Sequence, residues 1–148
     1  MSCYIKKVST VSPIGDLGEN LNLNTFAANN FNAVEPDYKE VIANANLRRR
    51  MNRMLKMGTY AAMKCLADTD VDMMLTATSL GSISDTEKML DTIYSSGETL
   101  GNPTAFIQST FNTLAGNIAQ LKSTHIPNVT FVNRGEARRW QMHSDMLR

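Results

Sequence analysis

The stretch from Asn102 to Gly135, NPTAFIQSTFNTLAGNIAQLKSTHIPNVTFVNRG, most constrains what this chain can fold into. Phe111, Leu114, Ala115, Ile118 and Leu121 recur at the spacing of one helix face, and Ser109 or Thr110 can cap that helix. Asn102-Pro103 stops the preceding segment and holds an extended lead-in. Gly116 inside the helix costs about 1 kcal/mol against alanine, so a close backbone approach is expected there. Ile126-Pro127 marks a turn, and Asn128 to Val132 then alternates as a strand that runs into Asn133-Arg134-Gly135. In an α/β protein, the end of such a strand is where chemistry is usually mounted.

The rest of the chain fits around this unit. Tyr4 to Val11 reads as an N-terminal strand closed by the Ser12-Pro13-Ile14-Gly15 turn. Residues 16 to 46 are rich in Asn, which favours turns and caps, and read as a long surface connection with one short helix near Thr25 to Asn29. From Leu47, the positions Met51, Met54, Leu55, Gly58, Ala62, Cys65 and Leu66 predict one amphipathic helix of about five turns. Its methionines read as core gap-fillers. Val71 to Ala77 predicts a buried strand and Thr78 to Ser82 a loop. A capping box at Ser84 and Glu87 opens a helix that buries Met89, Leu90, Ile93 and Tyr94 and ends at Ser96-Gly97. The loop at Gly81 has neither a GxGxxG nor a Walker pattern and reads as a tight strand-to-helix crossover. Strand, loop and helix in this order predict a layered α/β sheet.

At 148 residues, a single domain is expected. No apolar run approaches the ~20 residues that span a bilayer, and the lysines of the N-terminal segment do not precede an apolar core as in a secretory signal. Cys3 and Cys65 are too few and too far apart for a disulfide framework or metal knuckle, so a cytoplasmic location is expected. A net charge of +1 gives no global pull toward nucleic acid. The cluster Arg48, Arg49, Arg50 and Arg53 could meet an acidic partner, but no aromatic residues interleave to stack on bases. Asp68, Asp70 and Asp72 read as a solvated turn without the glycine and terminal glutamate of a calcium loop. No metal or cofactor is expected.

The order of several segments resembles the N-terminal half of a β-ketoacyl-acyl-carrier-protein synthase. These are Val11 to Gly15, Leu47 to Arg53, Thr78 to Gly81, and Pro103 to Phe106 followed by Ser109 to Gly116. The resemblance covers residues 3 to 135 and is nearest to the divergent ketosynthase-like proteins of fatty-acid-like and aryl-polyene pathways. It implies a thiolase-like layered α/β fold of which this chain matches the N-terminal half only, as one domain over residues 1–148 with an atypical polar tail from 135 to 148. It further implies a cysteine nucleophile where the strand after the small-residue helix ends, at a helix N-terminus that lowers its pKa. Counted from Pro127, that position is Gly135, which cannot accept an acyl group.

Nothing else in the chain replaces it. Cys3 belongs to the first strand and Cys65 to an apolar helix face, while His125 and His143 have no positioned nucleophile beside them. The family's catalytic histidines and lysine come from the other half. Whether the chain is an enzyme is therefore left open by the sequence. The first expectation is a non-condensing partner like a chain-length factor, or else a truncated synthase; the alternative is a non-enzymatic binding module using the basic helix. The resemblance names Phe106, Ser109, Phe111, Asn112 and Gly116 as candidates for an acyl pocket or dimer interface. Arg49 and Arg53 are candidates for binding acyl carrier protein. A half-fold leaves a sheet face uncovered, so association with a ketosynthase subunit or with a second copy is expected.

Overall fold

The computed structural model describes residues 4–16, 32–67, 69–97 and 101–133. The predicted helix near Thr25 to Asn29, Cys3, Asp68, Gly135, His143 and the polar tail lie outside the described residues.

Two helices replace the one predicted from Leu47. α1 (Ala45–Arg50) is capped by Asn44, and α2 (Arg53–Leu66) is capped by Asn52, whose side chain accepts the Leu55 N–H. Asn52 is extended, with ψ 176, so the helix stops although the apolar spacing runs straight through. The break seats Met51 in the core beside Ile42 and Leu55, against which Leu47, Leu114 and Leu121 pack.

β1 (Met74–Thr78) and β2 (Asn128–Val132) pair in parallel, Met74 opposite Asn128 through to Thr78 opposite Val132. A parallel pair needs a long crossover, here three helices: α3 (Ile83–Ser95), α4 (Pro103–Ser109) and α5 (Thr113–Lys122). The predicted strand, loop and helix succession is thus present. The predicted burial of β1 is not: Leu75 is half exposed. Val129 and, beyond it, Phe131 lie on that same sheet face, because paired residues of neighbouring strands point the same way.

Other expectations shift. Asn102 is extended as predicted, but the extension ends there: its side chain accepts the Ala105 N–H and caps α4, with Pro103 at the first helical position, where its missing N–H costs nothing. The helix predicted from Phe111 begins at Thr113 after Asn112. The N-cap of α3 is Ser82, not Ser84 of the Ser84–Glu87 pair. Leu90 and Tyr94 lie on its exposed side, and no described element covers them. Tyr4 to Val11 pairs with no strand among the described residues, and the one bridge nearby joins Ser12 to Gly15 within the turn. Gly116 is open, with nothing within 4 Å of the place a Cβ would take. The close approach falls at Gly58 instead, where a Cβ would meet the Leu114 methyls at 3.0 and 3.1 Å. Among the described residues, no helix is long and apolar enough to cross a membrane.

Candidate functional site

The junction of α2, α5 and the sheet forms a narrow cleft whose walls include Leu55, Thr76, Thr78, Phe111, Leu114 and Thr130. Strand periodicity turns Thr76 and Thr130 to this side, and their hydroxyls bond each other at 2.7 Å. With those oxygens partnered, the cleft presents mainly hydrocarbon and no charged group. At its edge Gly81 has φ +62 and donates its N–H to Thr78 Oγ1 at 3.0 Å. The Phe111 ring lies so close that a Cβ on Gly81 would come within 2.6 Å of it. The enclosed space is only about 20 Å³, too little for an acyl chain as the side chains stand, and the lining has no charged group that could transfer a proton.

Of the candidates named for an acyl pocket, interface or carrier-protein site, Phe111 alone lines this cleft. Phe106 is exposed on α4. Ser109 donates to the Phe106 carbonyl at 2.8 Å and to Met89 Sδ at 3.7 Å, tying α4 to α3. Asn112 and Gly116 are exposed, the first at the N-cap of α5 without a capping side-chain bond. Arg49 is exposed in the last turn of α1, whereas Arg53 is ion-paired with Glu35 and Arg48 donates to the Ile42 carbonyl. Half of the basic cluster is therefore committed within the chain. Cys65 is half-buried and donates to the Lys7 carbonyl, and His125 is exposed before β2. Among the described residues, no group of three His, Cys, Asp or Glu side chains could hold a metal.

One polar cluster is not legible from the sequence. Asp85 is buried, and its Oδ2 accepts from Ser82 Oγ and from Asn52 Nδ2, each at 2.6 Å. Asn52 also donates to Ser82 Oγ. The α1–α2 break is thus locked onto the start of α3. The spacing Ser82-x-x-Asp85 is the available signal, masked by Ser84 and Glu87 at the same spacing two residues later. A second cluster stands at the surface: Tyr38 donates to Glu35 at 2.9 Å and packs edge-on against Tyr60, with ring centroids 5.9 Å apart. Burial, then the bond to Glu35, pushes the Tyr38 phenol up to about 12, and bonds from Arg53 and Tyr38 hold the Glu35 carboxyl below its usual range. Both clusters hold structure together, and Ser82 of the first also stands in the wall of the cleft.

The sequence model of the family described as beta-ketoacyl synthase, N-terminal domain, matches residues 24–135. No curated protein matches the chain. In three dimensions it is similar to a ketosynthase (ApeO) in complex with its chain length factor (ApeC) from Xenorhabdus doucetiae, with a TM-score of 0.74 at 14% identity. The likeness covers 99% of this chain and 61% of that one, so the chain spans less than two thirds of the solved chain's length. The fold is the thiolase-like layered α/β fold.

Proposed function

The chain belongs to the β-ketoacyl synthase N-terminal-domain family, and from that membership we propose that it acts as a non-condensing partner in fatty-acid or polyketide-type biosynthesis. In this reading it resembles a chain-length factor: it packs against a ketosynthase subunit or a second copy and helps to shape the space for an acyl chain delivered by acyl carrier protein. The observation that carries it is Gly135, which stands where the family resemblance sets the nucleophile and is the last residue of the family match. A synthase needs a thiolate at that point, and glycine has no side chain to supply one. The acyl part of the reading rests on the family membership alone, since the uncharged cleft beneath Phe111 encloses only about 20 Å³. The exposed Phe106, Asn112 and Gly116, with the half-buried Ser109 among them, form the candidate partner surface.

Intact-mass spectrometry after incubation with an acyl-carrier-protein thioester tests the proposal. The mass is expected to stay unchanged, while the same thioester labels an active ketosynthase run in parallel. A covalent acyl adduct on any side chain would overturn it.

The alternative of a non-enzymatic binding module is favoured by one observation, the exposure of Arg49 and Arg50 in the last turn of α1. Replacing Arg49 and Arg50 by glutamate removes carrier-protein binding in that reading; undiminished binding rejects it.

A further inference from the structure

The outward side of α3 has no part in the function proposed above. Ile83, Leu90 and Tyr94 stand at i, i+7 and i+11, in one row along the helix, and are 61%, 56% and 90% exposed. The opposite side is occupied, since Asp85 is buried against Asn52 and Met89 meets Ser109 of α4. Glu87 and Asp91, spaced i and i+4, flank the apolar row and are exposed. Among the described residues neither carboxylate has an ion pair. Lys88, the only cation of α3, turns to Asp85 at 3.8 Å, and no basic residue stands in the last turn to offset the negative end of the helix.

We infer that this face docks an amphipathic helix of a partner polypeptide, whose apolar row lies along Ile83, Leu90 and Tyr94 and whose arginines or lysines stand beside Glu87 and Asp91. Charge complementarity selects this occupant. In an antiparallel two-fold pairing of α3 with its own copy the flank with Glu87 and Asp91 would face the same flank of the copy and bring like charges together. In a parallel pairing it would face the flank of Thr86, which carries no cation to meet the carboxylates. An anionic membrane surface is opposed by the same two carboxylates.

The probe is a fluorescein-labelled 18-residue helical peptide with leucines on one face and arginines beside them, compared with a twin carrying glutamates in place of the arginines. Both are titrated into the full chain at low salt and followed by anisotropy. The arginine peptide is expected to bind at least about tenfold more tightly than the glutamate peptide, roughly what two favourable surface charge pairs supply over two unfavourable ones. In the Glu87→Lys, Asp91→Lys variant the preference is expected to invert, so that the glutamate peptide becomes the tighter ligand. Tyr94→Ser with Leu90→Ser is expected to weaken both. Equal binding of the two peptides, failure of the charge swap to invert the order, or a dimer of the chain that dissociates on Tyr94→Glu would each overturn the inference. Acylation of the chain leaves this outcome untouched, so the two proposals fail separately.

Discussion

Two glycines that look alike in sequence have opposite structural meaning. Gly81 is held at φ +62 with the Phe111 ring against it, whereas Gly116 is an exposed position of α5 with open space where its Cβ would stand. Gly81→Ala therefore incurs a left-handed backbone cost of about 1–2 kcal/mol as well as displacement of the ring. Gly116→Ala is expected to stabilise by about 0.5–1 kcal/mol. Chemical denaturation checks both, and a double-mutant cycle with Phe111→Ala separates the two parts of the first: the ring term should vanish in that background. Equal costs of Gly81→Ala in both backgrounds would show that the ring contact does not matter. Tyr38 gives a second prediction. Its neutral form is favoured by burial and by the bond to Glu35, and its pKa is raised to about 12 from 10.0. Between those values the unfolded chain has lost the phenolic proton and the folded chain has kept it. The contribution is accordingly complete below pH 10.0 and disappears as pH rises through about 12. Absorbance titration should show one phenol ionising near 12 that is missing in Tyr38→Phe; a Tyr38 step near its ordinary value would reject the burial argument.

At the scale of elements, Asn52 ties three of them together. It caps α2 at Leu55, ends the run from α1, and donates to Ser82 and Asp85 at the start of α3. Asn52→Ala removes a cap worth about 1 kcal/mol and leaves a buried carboxylate short of a donor, so about 2–4 kcal/mol is expected in total. Asn44→Ala, which removes an exposed cap of α1, should cost only about 1 kcal/mol. Similar losses from the two variants would mean that the Asp85 cluster contributes little. The same residue explains what the sequence concealed. Helical periodicity from Leu47 to Leu66 reads as continuous because the core lies on one side of both α1 and α2, and only the conformation of Asn52 reveals the stop. Asn102-Pro103 is ambiguous in the same way, since asparagine and proline both end one segment and open the next helix. Leu90 and Tyr94 read as inside because apolar spacing reports that a face exists, without reporting what covers it. The succession of β1, loop and α3, the strand β2 and the α5 apolar row from Leu114 to Leu121 were legible because periodicity is a local property. The Phe111–Gly81 contact was not, because it joins residues thirty positions apart.

At the scale of the whole molecule, the two-stranded sheet is the element least able to stand alone. Two strands alone have marginal stability, and while α5 covers one face, Leu75 and Val129 on the other are partly exposed among the described residues. Apolar side chains at half exposure on a short sheet mark a surface that is normally covered. The fold of the solved ketosynthase chain extends well past the 61% that this chain spans, so the material for a cover exists elsewhere in such proteins. For this chain the expected source is association, with a ketosynthase subunit or with itself. Leu75→Lys combined with Val129→Lys places charges on that face without touching the core residues Ile42, Met51 and Leu55. Light scattering on the chain alone should find an assembly that this double variant shifts toward the monomer, with the helical circular dichroism retained. If the chain alone is monomeric, mixing it with a ketosynthase subunit should give a complex that the variant weakens. A wild-type chain that stays monomeric in both settings, with a stable and cooperative thermal transition, would mean that the open face needs no partner and that the chain-length-factor reading is wrong.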